Sequence, residues 1–245
     1  MRTKGKTAKR ILAALLAVLA LLALGVGLYA GDYYHADGAA VAALASAGKV
    51  TVEQEKDMVV FRPEAPAAGF LFYPGGKVEF TAYAPLLLEL AEQGMQCVLL
   101  EMPLNLAVMD VNAAEGIREQ YPEIQTWYIG GHSLGGSMAA SYAEKNARDF
   151  AGLILLASYS TADLRESSLK VLSVYGSEDG VLNMEKYREY SAMLPEDTVE
   201  IVIPGGNHAG FGSYGAQEGD RAAAISQREQ VQQTAAAITA FVAGS

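Results

Sequence analysis

Cysteine occurs once in the 245 residues, at Cys97, so no disulfide can form within the chain. Histidine occurs three times, which with one cysteine leaves no Cys/His ligand set for a zinc site. Proline is sparse at 8 residues, and charged residues make up only 19% against 51% hydrophobic, a background too apolar for a disordered chain. Bases are outnumbered 18 to 28 by acids, a formal charge of −10, so the basic face that nucleic acid requires is missing. No internal repeat, low-complexity tract or interdomain linker interrupts the sequence. What is present, a long and apolar chain, suffices for one full core.

The charge is unevenly spread. Residues 1–10 hold Arg2, Lys4, Lys6, Lys9 and Arg10 and no acid, leaving 13 bases against 28 acids, a net of −15, for the rest. From Ile11 to Ala30 there is no charge at all. As a helix those residues reach about 30 Å, the thickness of the bilayer core. The preceding bases stay in the cytoplasm and the acidic remainder lies outside. A cleavable signal has an apolar core of about 7–15 residues and small residues at −3 and −1 of the cut. Here the run is longer and Leu28 occupies the −3 position before Ala30, which predicts a retained anchor, with secretion after cleavage as the alternative. The expected organisation is a cytoplasmic basic segment 1–10, a transmembrane signal anchor 11–30, a connecting helix in 31–49 (Ala-rich, with Val41, Leu44 and Ala45) and a folded domain 50–245.

Within that domain, strand-like and helix-like stretches alternate. Strands are expected over 57–62, 69–73, 96–100, 126–129, 152–157, 169–175 and 199–203. Helices are expected over 81–93, 106–121, 134–146, 183–194 and 226–242. Strands without polar alternation, interleaved with helices, mark a mostly parallel sheet covered on both faces, an α/β fold. Only about eleven residues separate Ala157 from Leu169, too few for a separate lid domain.

Residues 131–135 read Gly131-His132-Ser133-Leu134-Gly135, with Gly136 next, between a strand and a helix. A serine at such a turn takes a strained backbone conformation, and glycines on either side remove side chains that would clash. Its hydroxyl then stands at a helix N-terminus, where free amides favour developing negative charge. The same pattern also suits a plain turn with Ser133 as helix cap.

At these residues the chain resembles the α/β-hydrolase family, over roughly 50–243. Its Tyr-Pro-Gly-Gly loop, Gly-His-Ser-Leu-Gly-Gly elbow and Gly-Gly-Asn-His turn are similar to a compact, lidless bacterial group of serine hydrolases, often with an N-terminal anchor. The family's triad runs serine, acid, histidine along the chain. Asp179, after the strand 169–175, matches the usual acid position; Glu178 competes, and Asp163 more weakly. His208 follows the strand 199–203 at the same rim, and histidine suits proton transfer near neutrality. His35 lies beside the anchor, and the His132 side chain is expected to aim elsewhere, which leaves His208 as the base. The resemblance implies an oxyanion hole from the Leu134 amide and a donor in Tyr73-Pro74-Gly75-Gly76-Lys77, where Pro74-Gly75 replaces the relatives' frequent His-Gly. Gly76 is the expected donor and Lys77 the alternative.

Two stretches remain open. Residues 102–107 line an apolar pocket or pack as a loop, and the glycine-rich 210–220 closes over the acyl site or is simply long. The expected function is a membrane-anchored serine hydrolase cleaving carboxylic esters, small or lipid-like, through Ser133, His208 and Asp179 and an acyl-enzyme. An amidase, peptidase or thioesterase uses the same triad, and a silent binding protein the same fold. No cofactor, metal or nucleic acid is expected.

Overall fold

The computed structural model describes residues 3–45 and 48–244. Arg2 of the basic segment and residues 46–47 of the connecting segment lie outside the described residues. Two units divide the chain, 1–33 and 34–245. The first is the helix α1 (Thr3–Gly31). Its stretch Ile11–Gly31, 21 residues, is long and apolar enough to cross a membrane. Leu15, Leu19 and Leu22 are among the apolar side chains it leaves exposed.

The second unit opens with Tyr34 bridging to Val78 and then α2 (Gly38–Ala43). Asp37 caps α2 by accepting from the Ala39 and Ala40 amides at 2.8 and 3.2 Å. The helix in the connecting segment is six residues long, and Tyr34 ahead of it pairs with Val78.

The strands are β1 (Val50–Gln54), β2 (Met58–Pro63), β3 (Ala68–Tyr73), β4 (Met95–Leu100), β5 (Trp127–His132), β6 (Gly152–Leu156), β7 (Lys170–Gly176) and β8 (Val199–Ile203). The helices are α3 (Ala84–Glu92), α4 (Leu134–Lys145), α5 (Met184–Ser191) and α6 (Gln227–Ala243). One eight-stranded sheet results, in the order β1-β2-β4-β3-β5-β6-β7-β8. β3 to β8 run parallel, and β1 and β2 are antiparallel additions at one edge. β3 to β6 are buried along their whole length because both faces are covered, whereas β8 is an edge strand that leaves Val199 and Val202 exposed. Phe70 and Phe72 pack with Leu87, Leu90 and Ile238 on one side. Leu71 and Tyr73 pack with Ile129, Ala139 and Leu153 on the other.

Two segments depart from the sequence expectation. β1 has one buried residue, Val50, at the edge of the sheet and has no apolar run to announce it. The helix expected over 106–121 is instead a series of turns with short 3-10 pieces at Ala107–Met109 and Arg118–Gln120. The Tyr73 hydroxyl supplies the reason: it donates to the Val111 carbonyl at 2.9 Å and accepts the Ala114 amide at 3.0 Å, taking groups a helix would pair internally.

Candidate active site

The parallel strands end on one rim, and three connections meet there. The first is the passage from β5 into α4. Ser133 stands between them at φ 52°, ψ −122°, a left-handed conformation rare for a residue with a Cβ. Its amide still pairs with the Leu156 carbonyl at 2.9 Å, so the turn is fixed to β6. Neighbouring chain leaves no room for side chains. A Cβ on Gly131 would stand 2.3 Å from the Tyr73 carbonyl oxygen, and one on Gly135 2.2 Å from that of Pro74. The Ser133 side chain makes no capping bond to α4, which sets aside its reading as a helix cap. The hydroxyl of Ser158 donates to the Ser133 carbonyl at 2.7 Å and fastens the turn from outside. The sequence carries no motif that singles out Ser158.

The second and third connections follow β7 and β8. They bring Asp179 and His208 together, with Asp179 Oδ2 2.9 Å from His208 Nδ1 and both side chains 2% exposed. Asp179 Oδ1 accepts the Val181 and Leu182 amides at 2.9 and 2.8 Å. A carboxylate only accepts, so the Nδ1 proton belongs to the ring and Nε2 carries the lone pair. That Nε2 is buried with no hydrogen-bond partner. His208 borders a cavity of about 260 Å³ whose wall also includes Ser133, Leu134, Ala157, Tyr159 and Leu182. The two competing acids face elsewhere. Glu178 accepts from Ser177 Oγ and lies 3.7 Å from Arg221, and Asp163 is tied to Arg165, which holds its carboxyl at about 2.

The loop after β3 approaches the same place. Lys77 sits at φ 58° and spends its amide on the Asn105 carbonyl at 2.8 Å, so it is not the free donor. The Gly75 amide donates to the Tyr83 hydroxyl at 3.1 Å. Among the described residues no hydrogen bond occupies the Gly76 amide. A Cβ on Gly76 would come within 3.0 Å of Leu134 Cδ2, so the two backbones are neighbours. Leu134 begins α4, and its amide has no acceptor within the helix.

The His132 side chain is not on the wall of the Ser133 cavity; its ring packs on the His208 ring, centroids 4.5 Å apart, with Phe211 beside it. Tyr83 Oη, which accepts from the Gly75 amide, also pairs with His132 Nδ1 at 2.8 Å. Nε2 makes no hydrogen bond of normal geometry. Burial first, and then the neighbouring His208, hold His132 well below the usual histidine range, with the His208 backbone carbonyl offsetting part.

The remaining candidates fall outside the cavity. Met102 and Ala107 are buried, whereas Leu104 is exposed and borders a separate cleft of about 610 Å³ walled by Glu55, Asp57, Glu101 and Asp110. The stretch 210–220 does not close over Ser133. It packs behind His208, with Phe211 and Ser213 fully buried and the Ser213 amide on the Ala82 carbonyl at 2.8 Å. Cys97 is fully buried on β4, and burial pushes its thiol up, away from the reactive thiolate. Among the described residues no group of three or more His, Cys, Asp or Glu is placed to hold a metal.

Several solved structures share this architecture. A predicted CIB-like hydrolase from Thermoplasma acidophilum is 16% identical, covers 78% of this chain and 99% of its own, and superposes with a TM-score of 0.57. Dienelactone hydrolase from Anabaena variabilis is 11% identical over 80% of this chain and 99% of its own, TM-score 0.59. Est1E from Butyrivibrio proteoclasticus is 12% identical over 80% and 100%, TM-score 0.55. At these identities the likeness is one of fold. A comparison with curated proteins yields no match. The sequence profile of the alpha/beta hydrolase family matches residues 69–232, two thirds of the chain. The chain belongs to the alpha/beta hydrolase family.

Proposed function

We propose that this protein is a serine hydrolase of carboxylic esters, held at the cell membrane by its N-terminal helix with the acidic domain outside. The observation that carries the reading is the strained Ser133, at φ 52° between β5 and α4, on one cavity wall with His208, whose buried Nε2 has no hydrogen-bond partner. Ser133 Oγ attacks the ester carbonyl carbon as His208 Nε2 takes its proton. Asp179, bonded to Nδ1, holds the ring and offsets the charge it gains. The amides of Leu134 and Gly76 receive the negative oxygen. Collapse expels the alcohol, which takes the proton from Nε2, and water repeats the sequence on the acyl-enzyme. A Ser133–His208 hydrogen bond forms when substrate arrives, since catalytic hydrogen bonds are often made only in the substrate complex.

The cavity of about 260 Å³ lies below the range usual for drug-sized ligands and supports a short acyl group. The apolar stretch Ile11–Gly31 and the five bases before it support a single-pass anchor, which brings small and lipid-like esters alike to the site.

The test labels the full chain in detergent with a fluorophosphonate and measures hydrolysis of p-nitrophenyl esters of increasing acyl length. Wild type labels and turns over, fastest on the short esters, while Ser133→Ala and His208→Ala fall by at least about 10³-fold. Equal labelling of all three, or none in folded wild type, overturns the mechanism.

A further inference from the structure

The acid and the base stand on different loops, 29 residues apart, and their contact is a single bond between two side chains. Something must fix one loop against the other. Part of this is direct: the Ser177 amide donates to the Ile203 carbonyl at 3.0 Å and the Glu178 amide to the Gly206 carbonyl at 2.8 Å. The rest comes from a third segment that sequence reading left without a role.

Asp220 accepts the Gly180 amide through Oδ1 and the Ala209 amide through Oδ2, both at 2.9 Å. Gly180 follows Asp179 and Ala209 follows His208, so one carboxylate spans the residues next to the acid and the base. The Arg221 side chain grips the acid loop. Its Nη2 donates to the carbonyls of Ser177 and Asp179 at 2.9 Å, and its Nε to that of Glu178 at 3.2 Å. The Arg221 carbonyl accepts Asn207 Nδ2 at 2.7 Å, which ties the clamp to the residue before His208. The fit is close: a Cβ on Gly180 would stand 2.8 Å from both the Arg221 nitrogen and the Gly219 carbonyl oxygen. Hydrogen bonds with a charged partner are shorter and stronger than neutral ones, and the guanidinium fork suits several carbonyls at once.

We propose that Asp220 and Arg221 are positioning residues: a clamp, outside the substrate cavity, that sets the register of the Asp179 loop against the His208 loop. The proposal rests on the reading of Asp179 and His208 as acid and base. Neither clamp residue borders the Ser133 cavity, so neither touches substrate there. Loosening the clamp therefore changes alignment and leaves binding intact. An error of about 1 Å in such a site can cost about 100-fold in rate.

The experiment compares wild type with Asp220→Asn, Asp220→Ala and Arg221→Ala as full chains in detergent. It reads kcat and KM on p-nitrophenyl acetate, the thermal midpoint, and the strongly downfield proton resonance of a histidine bonded to a carboxylate. The expected result is a fall in kcat of between tenfold and about 100-fold with KM within about twofold. The downfield resonance broadens or disappears at a temperature where each variant is folded. Asp220→Asn keeps the side chain's size but turns an N–H toward one of the two amides, so it loses one loop and guards against reading a simple folding failure. Wild-type kcat with an unchanged resonance in folded variants overturns the clamp. So does a loss of activity that only follows the folded fraction. Wild type that neither labels nor turns over overturns the serine-hydrolase reading instead. The resonance then still decides the clamp, because the Asp179–His208 bond does not depend on a reactive serine.

Discussion

Asp179 and His208 meet at 2.9 Å with their side chains 2% exposed, although each arrives on the loop of a different strand. The carboxylate has one oxygen on the ring and the other on two backbone amides, so it cannot turn away without leaving buried amides unpaired. Asp179→Asn keeps the shape but puts an N–H or a neutral oxygen against Nδ1, which frees the ring to take the wrong tautomer. The expected loss in kcat is about 10⁴-fold, the size such a change has in a serine triad. Asp163→Asn, which disturbs only an exposed pair with Arg165, leaves kcat unaltered. Steady-state kinetics on a short p-nitrophenyl ester checks both, and a loss under tenfold for Asp179→Asn would remove it as the acid.

The residues ahead of β1 belong to the folded unit that begins at Tyr34. The Tyr34 amide donates to the Lys77 carbonyl and the Glu79 amide to the Tyr34 carbonyl, both at 2.8 Å. The Tyr34 ring lies 5.6 Å from that of Tyr214, and Ala40 is fully buried. A fragment of residues 32–245 keeps all of this, and one of residues 50–245 loses it. Two hydrogen bonds and the buried apolar surface together amount to at least about 3 kcal/mol. The shorter fragment should therefore unfold at clearly lower urea and, with the loop that holds Gly76 freed, react more slowly with a fluorophosphonate. Equal urea midpoints would show that this segment contributes nothing.

How far the sequence reads as structure depends on where each signal comes from. β3 to β6 are legible because both faces are covered, so each strand is a mostly apolar run. Ser133 is legible because its glycine neighbours answer a local steric need. β1 is not, since Thr51, Glu53 and Gln54 on a half-exposed edge strand look like any loop. The turns over 106–121 hide because apolar spacing there suits a helix and the competing partner, the Tyr73 hydroxyl, is more than thirty residues away. His132 hides for a related reason: alternation along β5 tells which face it takes, not that His208 is brought against it. Asp220 and Arg221 act on backbone amides and carbonyls, and backbone partners leave no pattern in a sequence.

The elbow's glycines are tested by adding one methyl. A Cβ on Gly135 would press on the carbonyl oxygens of Pro74 and Tyr73, at 2.2 and 2.3 Å, where β3 ends and the Gly76 loop begins. Gly135→Ala therefore forces backbone to move, a cost of about 1–3 kcal/mol for overpacking of this kind. Because the pressed segment leads into the loop of Gly76, fluorophosphonate labelling of the folded variant also slows. Urea unfolding of residues 32–245 checks the first part. A change below about 0.5 kcal/mol would mean that the turn is looser than its geometry.

His132 gives the protein a pH dependence whose sign is fixed. An exposed histidine titrates near 6.5, whereas burial and the adjacent His208 hold His132 well below that. Between the two values the unfolded chain carries a proton that the folded chain does not, so stability rises with pH and falls on acidification through about 6.5. The loss grows as pH falls below that point until the folded ring itself titrates. Carboxylates titrate too, so the difference between wild type and His132→Gln isolates this one group, measured by urea unfolding of residues 32–245 between pH 7.5 and 5.5. The curves should converge as pH falls, because only wild type has a buried ring that resists its proton. Parallel curves would show that the folded ring protonates normally, and the neutral Tyr83–His132 pair would have to be abandoned. The neutral state matters for the chemistry proposed here. When His208 takes the proton of Ser133, the ring 4.5 Å away must carry no charge of its own, or the two would repel at the moment the base is needed.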